Sequence, residues 1–251
     1  MSENPAERRT VDGYTYTINP VEAEIGPHRF AFPANYYDDQ IGPAIGGGVG
    51  LTLMWPTMAP ALPGSRVGRA MEDNYRSVVA SVDYVDKLPP SELLERLTTT
   101  DDSLEENSLD RLDPLRRLDQ RIAGENTMGL TPYLIDEGKI PAFAEAFKRK
   151  TGMTYRGDSL NSEDWYIARS DDGNIESFIK CDSRKRVGDG LRVDGDRLVS
   201  LQTGRIAKCT HYFVDLQDRL AIRMTYSRAV LADWKDMERG VRAALSRFKV
   251  E

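Results

Sequence analysis

Apolar and polar residues alternate with period two at several places along the chain, as in a strand with one buried face. Tyr14, Tyr16 and Ile18 share one side, against Thr15, Thr17 and Asn19. Two further strands are predicted at 28–33, stopped by Pro33, and at 50–55, stopped by Pro56. The stretch 56–64, with Pro56, Pro60 and Pro63, reads as a rigid irregular connection, and 77–84 as another strand. Later, 165–169 and 175–181 flank Ser170-Asp171-Asp172-Gly173-Asn174, a hairpin turn. A second turn at 193–197 leads into a strand at 198–201. A third hairpin joins 209–216 to 220–226, where Leu220, Ile222, Met224 and Tyr226 alternate with Ala221, Arg223 and Thr225.

The period changes to that of a helix in four places. Ser91 caps a helix carrying Leu93, Leu94 and Leu97, which ends at the threonine run 98–100. Asp113-Pro114 predicts a second short helix over 114–123, continuing the spacing Leu109, Leu112, Leu115, Leu118, Ile122. A third helix, 141–149, places Phe143 and Phe147 four apart. The strongest pattern closes the chain at 233–249, where Leu231, Trp234, Met237 or Glu238, Val241, Leu245 and Phe248 form one stripe. Strands joined by hairpins and closed by a helix predict an α+β fold: antiparallel sheets with helices packed on one face, in two similar-sized lobes. The segments are a flexible tail (1–12), a β-rich lobe (13–90), a charged helical linker or lid (91–130) and an α+β lobe (131–251). No close internal repeat is present.

Composition narrows the function. The 251 residues carry 34 Lys and Arg against 40 Asp and Glu, a net charge of −6, which argues against binding a phosphate backbone. No apolar run approaches the ~18 residues of a membrane helix. Two Cys exclude a zinc ribbon, two His leave little for a His-based metal site, and neither metal nor cofactor is expected. Residues 46–50, Gly-Gly-Gly-Val-Gly, lack both dinucleotide and Walker spacing and precede a strand, so they read as a flexible turn. Asp171-Asp172-Gly173-Asn174 lacks the alternating acids and closing Glu of a calcium loop, so it too reads as a turn. Arg184-Lys185-Arg186, with Arg192 and Arg197, is diluted by Asp189, Asp194 and Asp196 and reads as a solvated loop.

Cys209 and His211 share one strand face and superficially resemble a nucleophile pair, but a catalytic Cys belongs at a helix N-terminus or loop. His28 reads as a strand-edge residue, and no nucleophile elbow is present. We therefore expect no enzyme. Cys181 and Cys209 both sit at strand ends. A disulfide between them would close a 28-residue separation and contribute on the order of 3–4 kcal/mol; the alternative is two separately buried thiols. Between 92 and 106, six acids (Glu92, Glu95, Asp101, Asp102, Glu105, Glu106) face one base, Arg96. Asp101, Asp102, Glu105 and Glu106 are the candidate contacts for a basic partner.

Two stretches carry a family resemblance: 29–37, Arg-Phe-Ala-Phe-Pro-Ala-Asn-Tyr-Tyr, with 48–56; and 209–214, Cys-Thr-His-Tyr-Phe-Val, with 220–226, 231–234 and the closing helix. Together they resemble periplasmic immunity proteins encoded beside antibacterial effectors of type VI secretion, especially lipase or phospholipase effectors. The resemblance implies a non-catalytic protein that binds and neutralises a cognate toxin encoded nearby, in the periplasm, with an export signal or membrane anchor ahead of residue 1. The opening residues, Met1-Ser2-Glu3-Asn4-Pro5, carry no such signal as written, which leaves the cytoplasm as the alternative compartment. The alternative function is a non-catalytic accessory or chaperone-like protein of a secretion system. No nucleic-acid partner is expected.

Overall fold

The computed structural model describes residues 4, 6–39, 42–43, 47–66, 70–99, 105–155, 162–202 and 204–250. The strands β1 (Arg8–Val11) and β2 (Tyr14–Thr17) open the chain, followed by β3 (Pro20–Ile25), β4 (His28–Pro33) and β5 (Val49–Met54). Helix α1 (Met71–Tyr75) precedes β6 (Ser77–Tyr84), and α2 (Leu93–Leu97) follows it. Strands β7 (Arg121–Ala123) and β8 (Thr131–Ile135) lead into α3 (Ile140–Thr151). Three hairpins come next: β9 (Glu163–Arg169) with β10 (Ile175–Asp182), β11 (Leu191–Asp194) with β12 (Arg197–Ser200), and β13 (Lys208–Asp215) with β14 (Leu220–Ser227). Helix α4 (Trp234–Phe248) and the short β15 (Lys249–Val250) close it. The architecture is a sheet-dominated α+β fold.

Eight antiparallel strands form the main sheet in the order β5-β6-β14-β13-β10-β9-β8-β7. It takes strands from both the 13–90 and the 131–251 segments. Its first face carries Leu51, Leu53, Val78, Ala80, Val82, Ile179, Phe213, Ile222 and Met224, all within one core cluster. Over that face pack α4 and a three-stranded sheet, β15-β4-β3. Phe30 stacks on Phe32 at 5.4 Å, and Phe248 at the end of α4 meets Phe32 at 5.7 Å and Tyr36 at 5.0 Å. Such aromatic contacts add to the area they bury.

The opposite face carries Trp165, Ile167 and Phe178, alternating with the first set as strand geometry requires. Leu94 of α2 seals this face, with Leu97 and Leu118 beside it. Helices therefore cover both faces, not one: α4 covers the first and α2 the second. The reason lies in the sheet, whose central strands β9 and β10 are apolar on both sides and need cover on each. Arg121 ties Leu115 to the sheet. Its guanidinium donates to the carbonyls of Leu115 (2.8 Å), Glu163 (2.8 Å) and Tyr133 (3.2 Å) and lies 3.8 Å from the Trp165 ring centre. Burial pulls its pKa down to about 10, so it stays charged at neutral pH.

The predicted 114–123 helix does not form. A single 3-10 turn, Leu118–Gln120, gives way to β7, which pairs with β8 at Arg121↔Ile135 and Ile122↔Leu134. Pairing at the sheet edge satisfies backbone groups that a short helix would leave open at its ends. Within 1–12, Arg8–Val11 pairs with Tyr14–Thr17. The proline-rich stretch serves packing: Asn35 donates to Ala61 O at 2.7 Å, and Met58 is buried under α4.

A Cβ on Gly240 of α4 would lie 2.5 Å from Met58 Cβ, which cannot swing aside as a side-chain tip can. Gly240→Ala improves helix propensity by about 1 kcal/mol but overpacks this contact at about 1–3 kcal/mol. Denaturant unfolding is expected to show net destabilisation, larger for Gly240→Val. Stabilisation by Gly240→Ala would mean that α4 stands further from Met58.

Candidate functional site

A cleft of about 860 Å³ opens between α2 and α4 at one end of the main sheet. Pro90 and Leu94 line one side, Lys235, Glu238, Arg239 and Arg242 of α4 the other. Between them lie the start of β10 (Ile175, Glu176, Ser177) and the end of β13 (Val214, with Leu216 beyond it). The sequence builds this wall through a β-bulge. Register shifts between Ile175 and Ser177, so Ile175 joins the face of Phe178 while Ser177 turns toward α4. The adjoining turn is tightened by Gly173 at φ +84° and by Ser170 Oγ, which accepts from Asn174 N at 3.2 Å.

At the floor, Glu238 Oε2 accepts from Ser177 Oγ at 2.7 Å, and Oε1 accepts from Arg242 Nε and Nη2 at 3.0 and 2.9 Å. Arg242 also donates to Val214 O at 3.1 Å. His211 Nε2 lies 3.5 Å from Glu238 Oε2, and His211 Nδ1 lies 3.4 Å from the Tyr226 hydroxyl. Complete burial pushes the His211 imidazole below its ordinary value, against the pull of Glu238, and keeps it neutral. Burial pulls the Glu238 carboxyl up, but its hydrogen-bond partners outweigh that and leave it below the usual carboxylate range. Burial raises the Tyr226 hydroxyl.

The expected disulfide is formed. Cys181 and Cys209 are directly opposed in the β10–β13 register, and both are buried. Cys209 thus has no free thiol and His211 no exposure, which removes the nucleophile pair that the sequence offered. Glu105 and Glu106 are exposed; Asp101 and Asp102 lie outside the described residues. Glu106 borders a hollow that also holds Arg111, Arg117, Arg149 and Lys150, so its surroundings are less acidic than the sequence run. Arg184 pairs with Asp189, and Lys185 and Arg186 with Glu137. Asp171–Asn174 is a hairpin turn, and no cluster that could hold a metal occurs among the described residues. The cleft was not legible in the sequence. Its only trace was an acid, Glu238, on the stripe that α4 turns to the core.

Both shifted groups at the floor lose stability in acid. The native His211 binds a proton less readily than the unfolded chain, so its contribution is complete above about pH 6.5 and falls as pH drops below that. Glu238 adds a second loss below about pH 4.5. Each contributes at most about 1.4 kcal/mol per pH unit. Unfolding free energy is expected to decline from pH 6.5 to 5, with a shallower decline in His211→Asn; an unchanged slope would place the acid-sensitive group elsewhere.

No protein-family profile and no curated protein sequence matches this chain. A solved structure does. Smlt3025, an immunity protein of the Stenotrophomonas maltophilia type IV secretion system, is 42% identical, with a TM-score of 0.86 over 97% of this chain and 98% of its own. The iron-regulated outer membrane lipoprotein FrpD of Neisseria meningitidis aligns over 91% of this chain and 93% of its own. With 8% identity and a TM-score of 0.45, that second likeness carries no argument. Immunity proteins act by binding, not catalysis, and by this kinship the chain is not an enzyme. Through its 42% identity with Smlt3025 over almost its whole length, the chain belongs to that secretion-system immunity-protein family.

Proposed function

We propose that this chain neutralises a cognate antibacterial effector encoded nearby by forming a stable complex with it in the periplasm. The observation that carries this reading is the near-full-length kinship with Smlt3025. The delivering machine is read as type IV after that relative, in place of the type VI machine that the sequence resemblance implied. A lipase or phospholipase remains the effector activity we assign. The buried Cys181–Cys209 disulfide supports the periplasm, since such bonds persist in oxidising compartments. We also assign Asp101, Asp102, Glu105 and Glu106 to steering the effector toward the complex.

Two experiments test this. The product of the adjacent gene, directed to the periplasm of a test bacterium, is expected to arrest growth. Co-expression of this chain with an export signal should restore growth, and without one should not. Failure of the exported chain to protect would reject the function, while an effector without lipid-hydrolysing activity would remove only the lipase assignment. In the second experiment, reversing the four acids to Lys is expected to slow association and flatten its dependence on ionic strength. Stability should change by less than about 0.5 kcal/mol. An unchanged rate and salt slope would move the steering surface elsewhere.

A further inference from the structure

We propose that the cleft between α2 and α4 receives a segment of the effector in which a carboxylate stands beside an apolar side chain. This rests on the reading of the chain as an effector-binding immunity protein, and goes beyond it by naming the anchoring site and the chemistry that fills it.

Charge argues for the carboxylate. Lys235 and Arg239 stand one helical turn apart on the exposed side of α4, both at the cleft. Lys235 lies 5.2 Å from the Trp234 ring centre, and no acid pairs with it among the described residues. Arg239 pairs with Asp236, but both side chains are more than half exposed, so water screens the pair and a partner can displace it. The third cation, Arg242, is already committed to Glu238 and Val214 O. Of the lining acids, Glu238 is held by Ser177 and Arg242, leaving Glu176 at the start of β10. Two available cations against one available acid favour an acidic visitor, although the whole chain carries a net charge of −6.

Apolar surface argues for the neighbouring side chain. Leu94, Ile175 and Val214 line the cleft, and Leu216 stands at its rim 62% exposed. The volume, about 860 Å³, falls within the range of roughly 300–1,000 Å³ typical of concave binding sites. The walls are fixed before binding: the Glu238 hydrogen bonds hold α4, and Leu94 is buried against Trp165 and Phe178. A rigid cleft costs little entropy to occupy.

The test measures binding of the purified adjacent-gene product to wild type, to Lys235→Glu/Arg239→Glu and to Leu216→Ala. All three positions are exposed, so melting temperatures should agree and affinity alone should report. The double reversal is expected to raise Kd by about tenfold or more, chiefly through faster dissociation, and Leu216→Ala by severalfold. Values within twofold of wild type for both variants would overturn the cleft assignment while leaving the immunity function standing. Tighter binding by the double reversal would also overturn it, pointing to a basic segment. So would a dimer of the free chain that the double reversal splits, which would make the occupant a second copy. If wild type itself forms no complex, the proposed function falls and the cleft assignment with it.

Discussion

A carboxylate cannot be set against the face of a sheet without partners, and the placement of Glu238 organises much of this molecule. Its oxygens are met from three elements: Ser177 on β10, Arg242 one turn further along α4, and His211 on β13 close by. Those contacts fix how α4 is rotated on the sheet. Trp234, Met237, Val241, Ala244 and Leu245 then face inward, and Lys235 and Arg239 outward. Helix α4 ends at Phe248, and Lys249 and Val250 then pair with Phe30 and Arg29 and extend the smaller sheet. Gly240 follows from the same constraint, because the helix lies too close to Met58 for a side chain at that position.

The other face of the sheet obeys a similar rule with a different charge. Arg121 can be buried because the carbonyls of Leu115, Tyr133 and Glu163 and the Trp165 ring receive its guanidinium. Buried Arg121 and partly buried Glu238 hold their covering elements at opposite faces, and the cleft is the gap left between those elements at the end of the sheet. A binding protein gains from this arrangement. Its recognition surface is set by helices and strand ends that are fixed before the partner arrives, so little ordering cost is left for the complex. The disulfide across β10 and β13 joins the same two strands that supply Ser177 and His211, which further stiffens the floor.

Local patterning determined much of the fold. Alternation located β6, β9, β10, β13 and β14, and the 3.6-residue stripe located α4, because each element has a buried face that its own residues must supply. The cysteine pairing was legible only in part: both residues lie at strand ends, but the pairing of β10 with β13, which no hairpin joins, is tertiary. β3 was legible but unread: Val21, Ala23 and Ile25 alternate with Glu22 and Glu24. Tertiary structure decided the rest. Helical spacing through Leu115, Leu118 and Ile122 lost to the sheet edge at β7, where pairing with β8 satisfies the backbone and leaves Ile122 exposed. The cleft was not legible, because Ser177 and Glu238 are 61 positions apart and meet only after a bulge turns one strand and a buried network rotates one helix. Sequence periodicity reports which side of an element is buried; which polar groups meet across two elements depends on how those elements are packed.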